Sequence, residues 1–153
     1  MSTVAAPIPR EVRDAVFDLL AEYGLAIDQD RLDDWTALFT EDCDYRVISR
    51  ENEEQGLPNV MIWCDNRDML LDRVDSYRHV NEYNLHWDRH VIGLPRIQVR
   101  DDSTWHIQAS YSLFQTDLEG VSLIAAYRDE FNGLVSSAGV DGLISALQKK
   151  NGS

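Results

Sequence analysis

Residues 84–97, Asn84-Leu85-His86-Trp87-Asp88-Arg89-His90-Val91-Ile92-Gly93-Leu94-Pro95-Arg96-Ile97, set two histidines four residues apart, with Asp88 between them and Arg89 beside the second. Three chemistries use such a set: a shared metal ion, an acid–base pair, or a structural array of hydrogen-bond donors. On a helix, positions i and i+4 meet on one face and can share a metal; on a strand they share a face but stand about 13 Å apart, at ~3.3 Å per residue. Val91 and Ile92, followed by Gly93 and Pro95, punctuate a strand with a kink or bulge rather than a helix interior. A common metal ion is then out of reach. For acid–base work, His90 would be a base oriented by Asp88 or Asp44, with Tyr45 or Tyr111 donating to a developing oxyanion. Asp88 and His90 lie about 6–7 Å apart by strand rise, so their direct contact requires a bulge near Gly93. The third reading makes His90 and Arg89 structural donors at an interface or sheet kink, where the planar guanidinium fork holds a carboxylate or carbonyls. That reading is favoured.

Other reactive residues are few. Cys43 and Cys64 lack a second cysteine or histidine at two- or three-residue spacing, which excludes structural zinc and iron–sulfur clusters on this chain. Both lie in apolar-patterned segments and read as reduced core thiols. The chain carries no glycine-rich phosphate loop, no Gly-x-Ser-x-Gly elbow and no His-Glu-x-x-His helix. Trp35, Trp63, Trp87 and Trp105 read first as core residues; Trp63 and Trp87 also suit a subunit contact, where aromatics are enriched.

The elements that would position these residues follow from periodicity. After Pro7 and Pro9, Val12, Val16, Leu19, Leu20, Tyr23 and Ile27 recur at three- and four-residue intervals, with Phe17 at the edge of the stripe, and predict an amphipathic helix. A shorter helix is expected over Arg31–Phe39, capped by Asp30, with Leu32, Trp35, Leu38 and Phe39 inward. Cys43, Tyr45 and Val47 alternate with Asp44 and Arg46 as in a half-wet strand, and Val60–Cys64 has strand length. Asp65 is placed to cap a third helix with Met69, Leu70, Val74 and Tyr77 on its apolar side. Long strands are expected at His86–Val99, Thr104–Thr116 and Val121–Phe131, joined by antiparallel turns. Asn132-Gly133 is a hairpin signal, with a stunted strand from Leu134 and then a helical stretch in Val140–Lys150. Helices first and strands after make an α+β fold, with helices covering one sheet face.

At 153 residues the chain fits one domain. Residues 1–10 read as a flexible leader, 11–135 as the folded unit and 136–153 as an atypical, helix-prone tail. With 44% apolar and 27% charged residues it has the composition of a globular protein. Twenty-seven acidic against fourteen basic residues give a net charge of −13, which repels phosphate backbones and anionic bilayers. Neither nucleic acid nor a membrane is expected as a partner. No apolar run spans a bilayer and the N-terminus lacks the order of a signal peptide, so a cytoplasmic location is the expectation.

The order of Leu32-Asp33-Asp34-Trp35, Leu38-Phe39, Asp42-Cys43-Asp44-Tyr45-Arg46-Val47, Asn52, Gly56-Leu57, Ile62-Trp63-Cys64-Asp65, Asp68–Arg73 and Arg89–Pro95 resembles the small (beta) subunit of Rieske-type aromatic-ring-hydroxylating dioxygenases. The likeness is nearest to enzymes acting on aromatic carboxylates, of the terephthalate dioxygenase type, and covers about Glu11 to Phe131. It implies a cone like that of nuclear transport factor 2, a curved antiparallel sheet with N-terminal helices packed against it. It also implies assembly with a large subunit as α3β3, served by a separate reductase that draws electrons from NAD(P)H. The [2Fe–2S] centre, the mononuclear iron and the substrate pocket would sit on the large subunit, and this chain would bind no cofactor, hold no metal and carry no catalytic residue. Arg89-His90 matches the family's strand motif and Arg73 the arginine ending its third-helix pattern; with Trp63 these are the candidates for structural or subunit contacts. The sequence departs from the family at Asn132–Ser153, where a further strand is usual. The alternatives are a free-standing lyase or isomerase using His90, Asp44 and Tyr45, and a small-ligand binding module of the same fold.

Overall fold

A computed structural model of the chain describes residues 7–47, 54–56, 62–81, 86–99, 104–117 and 120–133. Its elements are α1 (Arg10–Asp28), α2 (Leu32–Ala37), β1 (Tyr45–Val47), β2 (Ile62–Cys64), α3 (Arg67–Asn81), β3 (Trp87–Ile92), β4 (Arg96–Val99), β5 (Trp105–Asp117) and β6 (Gly120–Gly133). The expected α+β arrangement is observed: among the described residues, helices α1, α2 and α3 precede an antiparallel sheet in which β5 is central, pairing β3 and β4 along one edge and β6 along the other. Strands β1 and β2 pair antiparallel as a separate two-stranded sheet.

The core forms where the periodic stripe of α1 meets the inner sheet face. Val16, Leu19, Leu20, Tyr23 and Ala26 of α1 are buried with Trp105, Ile107 and Ala109 of β5 and Leu70 and Val74 of α3. Tyr23, Trp35, Phe39 and Tyr45 interlock edge to face, with Trp35 at 5.1 Å from Phe39 and 5.6 Å from Tyr45 between ring centres. This geometry sets the positive ring edge against the negative face of its neighbour. Tyr45 is thereby a packing residue. On α3, Met69 and Tyr77 are exposed, so the buried stripe is narrower than the expected apolar side.

Helix ends differ from expectation in an instructive way. Asp30 does not cap α2, whose N-terminus has no side-chain cap. It takes φ 57° instead, while its N–H bonds the Ile27 carbonyl at 3.1 Å and that of Arg31 bonds the Ala26 carbonyl at 2.8 Å. This pair of bonds is the Schellman ending of α1, which demands a left-handed residue just past the helix and tolerates aspartate there. At α3, Asn66 rather than Asp65 does the capping: its Oδ1 accepts the Met69 N–H at 2.9 Å, and its amide donates to Asp65 at 2.8 Å.

The expected single strand over His86–Val99 is two strands with a break at Gly93–Pro95, the anticipated kink. Both pair with β5 in sequence, Trp87–Ile92 against Thr116–Tyr111 and Arg96–Val99 against Gln108–Trp105. Gly93 donates to the Ser110 carbonyl at 2.7 Å, and a Cβ there would lie 3.2 Å from the same oxygen. Asn132 and Gly133 form no hairpin: they continue β6, opposite His106 and Trp105, because β5 extends far enough to supply ladder partners. The strand expected from Leu134 and the helical tail lie outside the described residues.

Candidate functional site

Alternation on β3 sorts the residues of the opening motif. Asp88, His90 and Ile92 face inward, opposite Gln115, Leu113 and Tyr111 of β5, and His86 just before the strand shares that side; Trp87, Arg89 and Val91 face outward and are exposed. Two imidazole–carboxylate pairs result on the inner face.

In the first pair the carboxylate is Asp28, in the last turn of α1. The His90 ring Nδ1–H donates to Oδ1 at 2.6 Å, and the His90 backbone N–H donates to Oδ2 at 2.9 Å and Oδ1 at 3.1 Å. The two side chains are only 8% and 7% exposed. His90 is thus oriented by neither Asp88 nor Asp44, the partners the sequence suggested. Its backbone N–H points away from β5 to Asp28, so one carboxylate covers a donor on the outer edge of β3 and fixes the ring as well. The ring lies tilted on Tyr111 at 5.6 Å.

The second pair is weaker. His86 Nε2 stands 3.7 Å from Asp88 Oδ2 and is hydrogen-bonded to the Tyr77 hydroxyl at 2.9 Å, while Gln115 donates to Asp88 at 3.3 Å. It ties α3 to β3.

Asp44 serves elsewhere. Arg46 Nε and Nη2 both donate to it at 2.7 Å, a bidentate fork, and the guanidinium lies 4.7 Å above the Trp63 ring. Trp63 is 53% exposed and Trp87 56%, so neither is the core residue first expected; Trp35 and Trp105 are. Arg73 lies exposed on α3, where its charge pulls the Cys64 thiol down against the larger upward push of burial. Cys43 and Cys64 are free and buried, and burial drives the Cys43 thiol up to about 11. Among the described residues no three His, Cys, Asp or Glu side chains gather as a metal set, and no helix is long and apolar enough to cross a membrane.

Between α1 and the β3–β4 edge runs an open groove of about 310 Å³, with apolar walls and the Asp28–His90 pair in its lining. Gly24 permits the close approach: a Cβ there would meet Ile92 Cδ1 at 3.1 Å and His90 Cβ at 3.4 Å. Asp28 was missed in the sequence. It is 62 residues from His90, and nothing in the local pattern of a last helical turn distinguishes it from a solvated acid.

The model of the SnoaL-like domain matches residues 10–133, and the chain belongs to that family. Within it the chain resembles small subunits of aromatic-ring dioxygenases. It is 41% identical over 91 residues to the beta 1 subunit of the terminal oxygenase component of terephthalate 1,2-dioxygenase from Comamonas sp., covering 60% of this chain and 58% of that one. It is 40% identical over 96 residues to the anthranilate 1,2-dioxygenase small subunit from Burkholderia cepacia, covering 63% and 60%. The matched stretches therefore span less than two thirds of these relatives. A solved structure assigned as the beta subunit of an aromatic-ring-hydroxylating dioxygenase from Novosphingobium aromaticivorans is 35% identical and superposes with a TM-score of 0.76, over 90% of this chain and 84% of that one.

Proposed function

We propose that the chain is the non-catalytic small subunit of an oxygenase that dihydroxylates an aromatic, in particular an aromatic carboxylate, on its large subunit. The observation that carries this reading is the 35% identity to a beta subunit sustained over 90% of the chain with matching fold. The disposition of charged groups supports it: His90 and Asp28 are consumed in bracing an edge strand, Asp44 in holding Arg46, and Tyr45 in packing. In this reading the iron–sulfur centre and mononuclear iron belong to the large subunit, the assembly is α3β3, and a separate reductase delivers electrons. Co-expression with the cognate large subunit tests it: a stable iron-containing complex that oxidises the ring is the expected result. Turnover by the purified chain alone would overturn it.

One observation favours a second reading. A buried His–Asp pair beside a groove resembles an oriented general base, as in a free-standing lyase or isomerase. That reading now rests on Asp28 and His90, since Asp44 and Tyr45 are engaged elsewhere. It requires that the isolated chain convert a small molecule and that His90→Ala abolish the conversion at unchanged fold.

A further inference from the structure

The outward face of β3 carries the residues that the packing leaves unused. Trp87 and Val91 are 56% and 55% exposed, and they flank Arg89, which pairs across the ladder with Phe114 on the same side. Arg89 also lines the groove, where Leu94 is 87% exposed and Phe17 and Leu25 form the opposite wall. The outer sheet patch and the groove are therefore continuous through Arg89.

Among the described arginines without an ion pair, Arg13, Arg73, Arg89 and Arg96, only Arg89 lines the groove. Arg31 is paired with Glu22 and Asp34, Arg46 with Asp44, and Arg67 with Glu41. Arg89, in a chain of net charge −13, has no carboxylate among the described residues. A carboxylate-bearing partner is repelled by most of this surface and attracted here, where apolar neighbours lower the local dielectric and strengthen the pair. Exposed tryptophan, arginine and phenylalanine together are the composition of an interface centre. A second copy in a two-fold contact centred on this patch would set Arg89 against Arg89, which like-charge repulsion opposes.

We propose that the face formed by Trp87, Arg89, Val91 and Phe114, continued into the groove at Leu94, docks the large subunit of the oxygenase, which presents an apolar ridge bearing a carboxylate to Arg89. This deepens the small-subunit reading and rests on it.

The test co-expresses the full chain, carrying Arg89→Glu or Val91→Asp, with the tagged cognate large subunit. Arg13→Glu, a charge reversal at an exposed residue of α1 that does not line the groove, serves as control. The amount of chain co-purified, the mass of the isolated chain and its thermal unfolding are measured. Both face variants are expected to lower capture by roughly tenfold or more, with unfolding and isolated mass as in the control. If the wild-type chain is not captured at all, the small-subunit reading falls, and the docking proposal with it. Wild-type capture with undiminished capture of both variants overturns the docking face alone. Capture retained while an oligomer of the isolated chain dissociates assigns the face to a second copy, and likewise overturns the proposal.

Discussion

Asp28 illustrates how much one side chain carries when both of its oxygens are used. Removing the carboxylate strands two donors of His90, one of them on a strand edge, in a site under 10% exposed. Asp28→Ala is expected to destabilise the fold by about 2–3 kcal/mol in urea unfolding. Asp28→Asn should cost less, since its amide oxygen still accepts the backbone N–H. The thiols give a pH prediction. Burial raises Cys43 from its ordinary 9.0 to about 11, so the folded chain keeps this proton to higher pH than the unfolded chain. The contribution is complete below pH 9 and is lost as pH rises from 9 to 11. Urea midpoints across that window should fall, and Cys43→Ala should flatten the decline. A thiol reagent at pH ~8 should label neither cysteine until denaturant is added, because each is buried and protonated.

At the scale of elements, the seat of α1 on β3 and the turn from α1 to α2 decide the architecture. Gly24→Leu forces a side chain into space held by Ile92 Cδ1 and His90 Cβ, and should cost about 1–3 kcal/mol through overpacking. Asp30→Val places a β-branched residue at φ 57° and should cost about 1–2 kcal/mol; thermal unfolding of both variants checks these values. The helices and long strands were legible because each repeats its own period: Val16, Leu19, Leu20 and Tyr23 are buried in the helical pattern, and Trp105, Ile107 and Ala109 in the strand pattern. The caps were not. Asp65 and Asn66 are both good N-cap residues one position apart, and only backbone geometry chose between them. Asn132-Gly133 has the chemistry of a turn, but the ladder available on β5 kept it extended.

At the scale of the whole molecule, the exposed side chains on the outer face of β3 and Leu94 at the groove take little part in the core. Leu94→Ser and Val91→Ser should each change stability by less than about 0.5 kcal/mol, since these side chains are largely in water already. Under the proposed docking, the same variants should weaken capture by a large subunit. Unfolding midpoints and co-purification, measured on the same preparations, check both halves of this expectation.

Read alone, the sequence determined the α+β order, the apolar stripes, the kink at Gly93–Pro95, the separation of His86 from His90 and the likeness to dioxygenase small subunits. These rest on interactions or patterns within one segment, where spacing along the chain dictates spacing in space. Only the tertiary structure decided that His90 answers to Asp28, that Asp44 holds Arg46 under its stacking on Trp63, and that Trp87 and Arg89 remain uncovered. A hydrogen bond across 62 residues depends on how α1 is set against β3, and no local period records that angle.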